Sequence, residues 1–275
     1  MRTKPFGKGG PRVPVIGQGT WPIPDASALR RGIKLGMTHI DTAEMYGDGE
    51  SERIVGAAIN GVPRSWLFIV TKVLPSHADR RGVARSAAAS LRRLKTGYVD
   101  CLLIHWRGDT PIEETMGALE EQVEAGNARS IGVSNFDPWD LREAARSLAK
   151  HRIACDQVMY NLHERTPEDH ELPWCRANGA ALVAYTPLGL PTLDPRTRGG
   201  RVLAAIGRRH RVGAHAVALA FLVRRPNVFA IPKASRIEHV VANAKAGDIR
   251  LDDDDVAAID AAFPNRVRVG PLPTN

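Results

Sequence analysis

Eight short apolar, β-branched runs recur along this chain of 275 residues, each followed by a helix-like segment, and this alternation restricts the fold most. The runs are "VIGQGTW", "THIDTA", "WLFIVTK", "VDCLLIH", "RSIGVSN", "CDQVMYN", "ALVAYTP" and "VFAIPK", in that order. Strands that alternate with helices form parallel βα units, because a parallel pair needs a crossover connection. Eight such units close into an α/β fold of the (β/α)8 barrel (TIM barrel) class, whose strand carboxyl ends share one face; that face carries the active site in such barrels. The intervening segments are punctuated as helices. "DASALRRGIKLG" opens at Asp25 and stops at Gly36, and "TPIEETMGALEEQVEAGN" has Pro111 in its first turn and Gly126 as a stop. Ahead of the first run, "KPFGKGGPRVPV" reads as a β-hairpin that plugs the far end of the barrel. After the eighth, "LDDDDVAAIDAAF" reads as a helix whose first-turn acids complement its dipole. No repeat or linker divides residues 1–275, so a single domain is expected.

Composition narrows the partners. No stretch approaches the roughly 20 apolar residues of a membrane span; "GAHAVALAFLV" is too short. The basic start lacks the apolar core and cleavage site of a secretory signal, and a cytoplasmic location is expected. Cys101, Cys155 and Cys175 form an odd set, two of them inside strand-like runs, and read as reduced packing residues. The scattered histidines offer no zinc spacing, so no metal is expected. The formal charge is +8, but the basic residues are mixed with acids along helices and not interleaved with aromatics. We expect no nucleic-acid partner, no membrane partner, and a monomer.

Three of the runs stop on different ionisable residues: "MTHID" on Asp41, "WLFIVTK" on Lys72 and "YVDCLLIH" on His105. A buried strand has no packing use for a charge at its carboxyl end. Tyr46 lies five residues past Asp41, in the Gly-flanked loop "AEMYGDGESE", where its phenol can project over the same mouth. The ordered segments "DTAEMYGDGESE", "TKV", "LLIHW", "GVSNF", "AYTPLG" and "IPKASR" resemble those of the aldo-keto reductase family, in its bacterial, diketogulonate-reductase-like form with a short carboxyl tail. The resemblance runs from "VIGQGTW" to "IEHVVANAKA". It implies NADPH-dependent reduction of aldehydes and ketones, with NADH as a second possible donor, and a tetrad at Asp41, Tyr46, Lys72 and His105.

Carbonyl reduction needs a hydride for carbon and a proton for the developing alkoxide. Tyr46 is the candidate acid. A free phenol titrates near 10, and the Lys72 ammonium is expected to lower it, with Asp41 holding that ammonium charged and His105 orienting the carbonyl oxygen. Taken singly, each residue has a duller explanation as a cap, a packed ring or a strand-end charge. Jointly, on one rim, they favour catalysis. Two rivals stand beside this reading: a Schiff-base lyase using Lys72, and a barrel that binds cofactor without turnover.

There is no Gly-rich dinucleotide fingerprint and no P-loop, so the cofactor must use the rim. Ser134, Asn135 and Gln157 end neighbouring strands with groups suited to a carboxamide, and Tyr185 is placed to stack on a nicotinamide. By resemblance Gly19, Thr20, Thr186 and Leu188 also line the cofactor. Lys233, Ser235 and Arg236, where the last strand meets a helix, make a natural phosphate site that a 2′-phosphate fits; the resemblance implies that these residues and Asn243 surround the adenosine phosphate and adenine. His239 stands where many relatives carry an arginine, which weakens the expected preference for NADPH. Trp21, Met45, Leu74 and Trp106 are expected to wall an apolar substrate pocket. The tail "PNRVRVGPLPTN" is shorter than that of many relatives, and an open, tolerant pocket follows from it.

Overall fold

Successive strand side chains point to opposite faces, both of them buried here, and this period of two determines which side chains meet inside the barrel. We describe residues 1–189 and 193–265 in a computed structural model. The strands are β1 (Thr3–Pro5), β2 (Arg12–Pro14), β3 (Gln18–Gly19), β4 (His39–Asp41), β5 (Phe68–Val73), β6 (Cys101–Ile104), β7 (Ile131–Ser134), β8 (Ile153–Met159), β9 (Ala181–Tyr185) and β10 (Val228–Ala230). The helices are α1 (Ser27–Lys34), α2 (Glu50–Ile59), α3 (Arg80–Leu94), α4 (Ile112–Glu124), α5 (Pro138–Arg146), α6 (Glu171–Asn178), α7 (Arg198–His210), α8 (Ala214–Leu222), α9 (Ile237–Ala246) and α10 (Asp253–Ala262).

Strands β3 to β10 lie side by side in chain order, every pair parallel. Parallel bridges Ile16↔Ala230 and Gly19↔Lys233 join the two outermost strands, so the sheet closes on itself. This is the (β/α)8 barrel expected from the eight runs. Closure pairs the two outer strands and turns every strand's carboxyl end toward one rim.

Inside the barrel, Phe68 and Val70 of β5, Cys101 and Leu103 of β6, Cys155 of β8, Val183 of β9 and Phe229 of β10 form one buried cluster. The intervening residues Ile40, Ile69, Leu102, Ile104 and Val133 point outward into the helix layer. The antiparallel hairpin β1–β2 supplies Phe6 and Val13 to the interior cluster. The Phe6 ring sits 4.5 Å from Phe68 and 5.1 Å from Phe229, and so plugs the end opposite the rim. Burying a phenylalanine this completely contributes on the order of 2–3 kcal/mol. Asp252 caps α10 through the Asp255 amide, whereas α1 starts one residue later than expected, with Ala26 at the cap position and Asp25 accepting from the Ser27 amide ahead of it. Among the described residues, no helix is long and apolar enough to cross a membrane.

Candidate active site

The period of two that buries Val70 and Leu103 also carries Lys72 and His105 inward, one step further up β5 and just beyond β6. Asp41 ends the neighbouring β4, and the turn after it brings Tyr46 back over the barrel axis. The four residues meet. Lys72 Nζ donates to Asp41 Oδ1 at 2.6 Å, to the Thr42 carbonyl at 3.0 Å and to the Tyr46 hydroxyl at 3.2 Å. The His105 ring lies edge-on to Tyr46, with centroids 5.7 Å apart.

Lys72 and Asp41 are 1% and 2% exposed, so their ionisation depends wholly on each other and on local bonds. Burial pulls the Lys72 ammonium down, but Asp41 and Tyr46 more than offset it and the pKa ends above the ordinary lysine value. Burial pushes the Asp41 carboxyl up, against the opposing pull of Lys72 and of Gln157, whose Nε2 donates to Asp41 Oδ2 at 2.7 Å. His105 is pushed down to about 3, first by burial and then by Lys72, so its imidazole is neutral across the physiological range. Tyr46 corrects the sequence expectation. Burial raises its pKa, and Lys72 only partly reverses this, so the phenol is held more firmly protonated than in water.

A cavity of about 610 Å³ opens above the four residues. It is lined by Gly19, Thr20, Trp21, Asp41, Met45, Tyr46, His105, Trp106, Ser134, Asn135, Gln157, Tyr185, Thr186 and Lys233, all anticipated from sequence. It is also lined by Arg107, Asp137, Asp140, Pro187 and Ile231, which sequence reasoning missed. "HWRGD" placed an arginine directly after a strand-end pair, a signal that was available for Arg107. Leu74 is absent from the lining: its amide is held by Glu44 Oε1 at 2.7 Å, where a short helical turn begins. Leu188 packs against the helix-layer core on one side of the barrel, outside the lining. Ser235, Arg236, His239 and Asn243 also lie outside this cavity, beyond Lys233, with Arg236 ion-paired to Glu238 and Asn243 buried on α9. The expectation drawn from the short tail falls mostly on residues 266–275, outside the described residues.

Strain is concentrated on the same rim. Asn135 and Thr186 directly follow β7 and β9 with φ of 58° and 45°, a left-handed conformation that asparagine tolerates and a β-branched residue resists. Side-chain bonds over-determine both turns. Asn135 Nδ2 donates to the His105 carbonyl at 3.2 Å, the Tyr185 hydroxyl donates to Asn135 Oδ1 at 2.8 Å, and Asn161 donates to the Thr186 carbonyl at 3.2 Å. The Thr20 hydroxyl is buried in the lining without a partner among the described residues. Among the described residues, no group of three or more His, Cys, Asp or Glu is arranged to hold a metal.

The model of the Aldo/keto reductase family matches residues 16–263. The chain belongs to the aldo/keto reductase family. Among its reductase relatives, it is 40% identical over 264 residues to "Methylglyoxal reductase YeaE" of Escherichia coli (strain K12), covering 92% of each chain. It is 31% identical over 268 residues to "Glyoxal reductase" of Bacillus subtilis (strain 168), covering 96% of this chain and 94% of that one. Among solved aldo-keto reductases, one from Klebsiella pneumoniae in complex with NADPH superposes with a TM-score of 0.91 at 39% identity, covering 100% of both chains.

Proposed function

We propose that this aldo-keto reductase reduces small aldehydes and ketones, dicarbonyls foremost, with NADPH, and that Tyr46, Lys72, Asp41 and His105 are its catalytic group. The observation that carries the reading is the Lys72 ammonium bonded at once to Asp41 and to the Tyr46 hydroxyl. NADPH supplies the hydride when bound. The protonated Tyr46 gives its proton to the developing alkoxide. Lys72 then stabilises the phenolate that remains, which is where its charge acts on the reaction. The Asp41 carboxylate keeps that ammonium charged and fixed. The neutral His105 donates from the ring nitrogen that faces the cavity and orients the carbonyl oxygen.

The residues present fit the cofactor. Gln157 Nε2 is occupied by Asp41, which leaves its carbonyl oxygen to accept from a carboxamide, with Ser134 and Asn135 beside it. Thr20 brings a buried hydroxyl in need of a partner. Tyr185 offers its ring, and Lys233, which lines the cavity beside Gly19, leads along the chain to Ser235, Arg236, His239 and Asn243, where we place the 2′-phosphate and adenosine. The Klebsiella pneumoniae relative, solved in complex with NADPH, supports the same donor. The names of the relatives, methylglyoxal and glyoxal reductases, support small dicarbonyl substrates.

A Schiff-base lyase is not favoured, because Lys72 Nζ is held charged by three acceptors and lacks a free electron pair. We further read residues 1–275 as one monomeric, cytoplasmic domain. The test is NADPH consumption with methylglyoxal, in the native enzyme and in Tyr46→Phe. The variant is expected to lose about 10²-fold or more in turnover while still binding NADPH. Native-like turnover in the variant sinks the assignment of Tyr46, and no consumption by the native enzyme sinks the reductase reading.

A further inference from the structure

The cavity mouth carries charges that proton transfer does not use. Arg107 follows Trp106 in the loop after β6. Its Nη1 donates to Asp140 Oδ1 at 2.6 Å and also to Glu143 Oε2. Asp140 and Glu143 stand three residues apart on α5, so one guanidinium ties the Trp106 loop to one face of that helix. Glu143 first, and Asp140 after it, hold the guanidinium charged despite its partial burial. Asp137 caps the same helix, accepting from the amides of Trp139 at 2.7 Å and Asp140 at 2.8 Å, and it lines the same cavity.

Arg107 is paired with Asp140 and with Glu143, which lies just outside the lining, and Asp137 lines the cavity beside Asp140, so this one cation is grouped with three carboxylates, a formal surplus of two negative charges in the cluster. The amino end of α5 offsets this by about half a charge. The other ionisable groups of the lining do not restore the balance. Asp41 is matched by Lys72, His105 is neutral, both tyrosines keep their protons, and Lys233, bridged to Gly19 where the barrel closes, is the cation assigned above to the cofactor phosphate. The Arg107 guanidinium has donors left over, but a ligand carboxylate using them would sit beside Asp140 and Glu143, two like charges against one opposite charge.

We propose that this clasp makes the pocket select uncharged carbonyl compounds and reject those bearing a carboxylate, with Arg107 as the positioning residue that holds the Trp106 wall. The proposal rests on the reductase reading above and names the substrate class of that site.

The experiment compares kcat/KM for 4-formylbenzoate and for its methyl ester, which share one reacting aldehyde, at saturating NADPH and pH 7. The native enzyme is expected to favour the ester by about tenfold at low ionic strength, and the ratio is expected to shrink in about 0.5 M NaCl as the mouth is screened. In the double variant Asp140→Asn with Glu143→Gln, Arg107 is freed and the ratio moves about tenfold toward the acid, with an unchanged melting temperature as the folding control. Equal rates or preference for the acid in the native enzyme overturn the proposal, as does a ratio unmoved in the double variant. Calorimetric binding of benzamide and benzoate to the NADP+ complex is compared between the native enzyme and the double variant, because a carboxylate also suits the Tyr46 and His105 centre and only the change on neutralising Asp140 and Glu143 reads the mouth. A preference that shifts toward benzoate in the variant supports the proposal and an unshifted preference overturns it, whatever becomes of the reductase reading.

Discussion

Two adjacent residues of β8 bury polar side chains in opposite directions, and the two environments could hardly differ more. Gln157 points into the barrel, where it joins a set in which both Asp41 oxygens, the Lys72 ammonium and the Tyr46 hydroxyl are bonded. Asp156 points out toward α6, where it and Glu171 are both 0% exposed and neither carboxyl has a hydrogen-bond partner among the described residues. The Phe136 amide opposes the rise at Asp156 without offsetting it. Burial, and each carboxyl's neighbouring acids, push Asp156 well up and Glu171 up to about 7. The inner set keeps its charges by pairing them. The outer set avoids charge by keeping protons. Only the inner arrangement suits chemistry, because a fixed ammonium can stabilise a transient phenolate, whereas a carboxyl that has shed its charge offers no field.

The pairing can be broken from the acidic side. In Asp41→Ala the Lys72 ammonium stays buried with only carbonyl and phenol partners, and loss of one member of a buried ion pair costs about 3–5 kcal/mol. Urea unfolding at pH 7 measures this, and a loss below about 1 kcal/mol would show that Asp41 does not hold the charge. Adding Lys72→Met to Asp41→Ala should return much of the stability, because the unpaired charge leaves with the lysine.

Gln157→Leu is a gentler cut into the same set. It leaves Lys72 paired but strips Asp41 Oδ2 of its side-chain donor, and one unsatisfied buried acceptor costs about 1–3 kcal/mol. The same unfolding measurement applies. An unchanged stability would mean that the inner set does not need complete bonding and that the contrast with Asp156 is overstated.

Much of this contrast was legible in the sequence, and the rest was hidden for physical reasons. The alternation of runs and helices gave the barrel, and the strand-end positions of Asp41, Lys72 and His105 gave the rim, because both follow from local periodicity. The clasp of Arg107 on Asp140 and Glu143 was not legible. It joins a loop to a helix further along the chain through side-chain rotamers, which local pattern does not encode. The acidity of Tyr46 was misread because sequence revealed the nearby ammonium but not the depth of burial opposing it. Asp156 was passed over within "CDQVMYN" because an acid in a buried run reveals its partner, or lack of one, only when α6 is packed against it.

The smallest expected effect belongs to the outer pair, and its sign is set by protons. Glu171 has a folded pKa of about 7, above the ordinary glutamate value of 4.5, so the unfolded chain releases this proton first as pH rises. The stability linked to Glu171 is therefore complete below about pH 4.5, declines through neutrality and is lost above about pH 7. Glu171→Gln removes the titration and retains the shape. The variant should be more stable than the native enzyme by about 1–2 kcal/mol at pH 8.5, allowing for partial relaxation of the site, and no more stable at pH 4.5. Melting temperatures of both proteins at the two pH values measure this. If the difference between them is the same at both, Glu171 does not hold its proton in the folded state, and the outer pair must be charged and partnered after all.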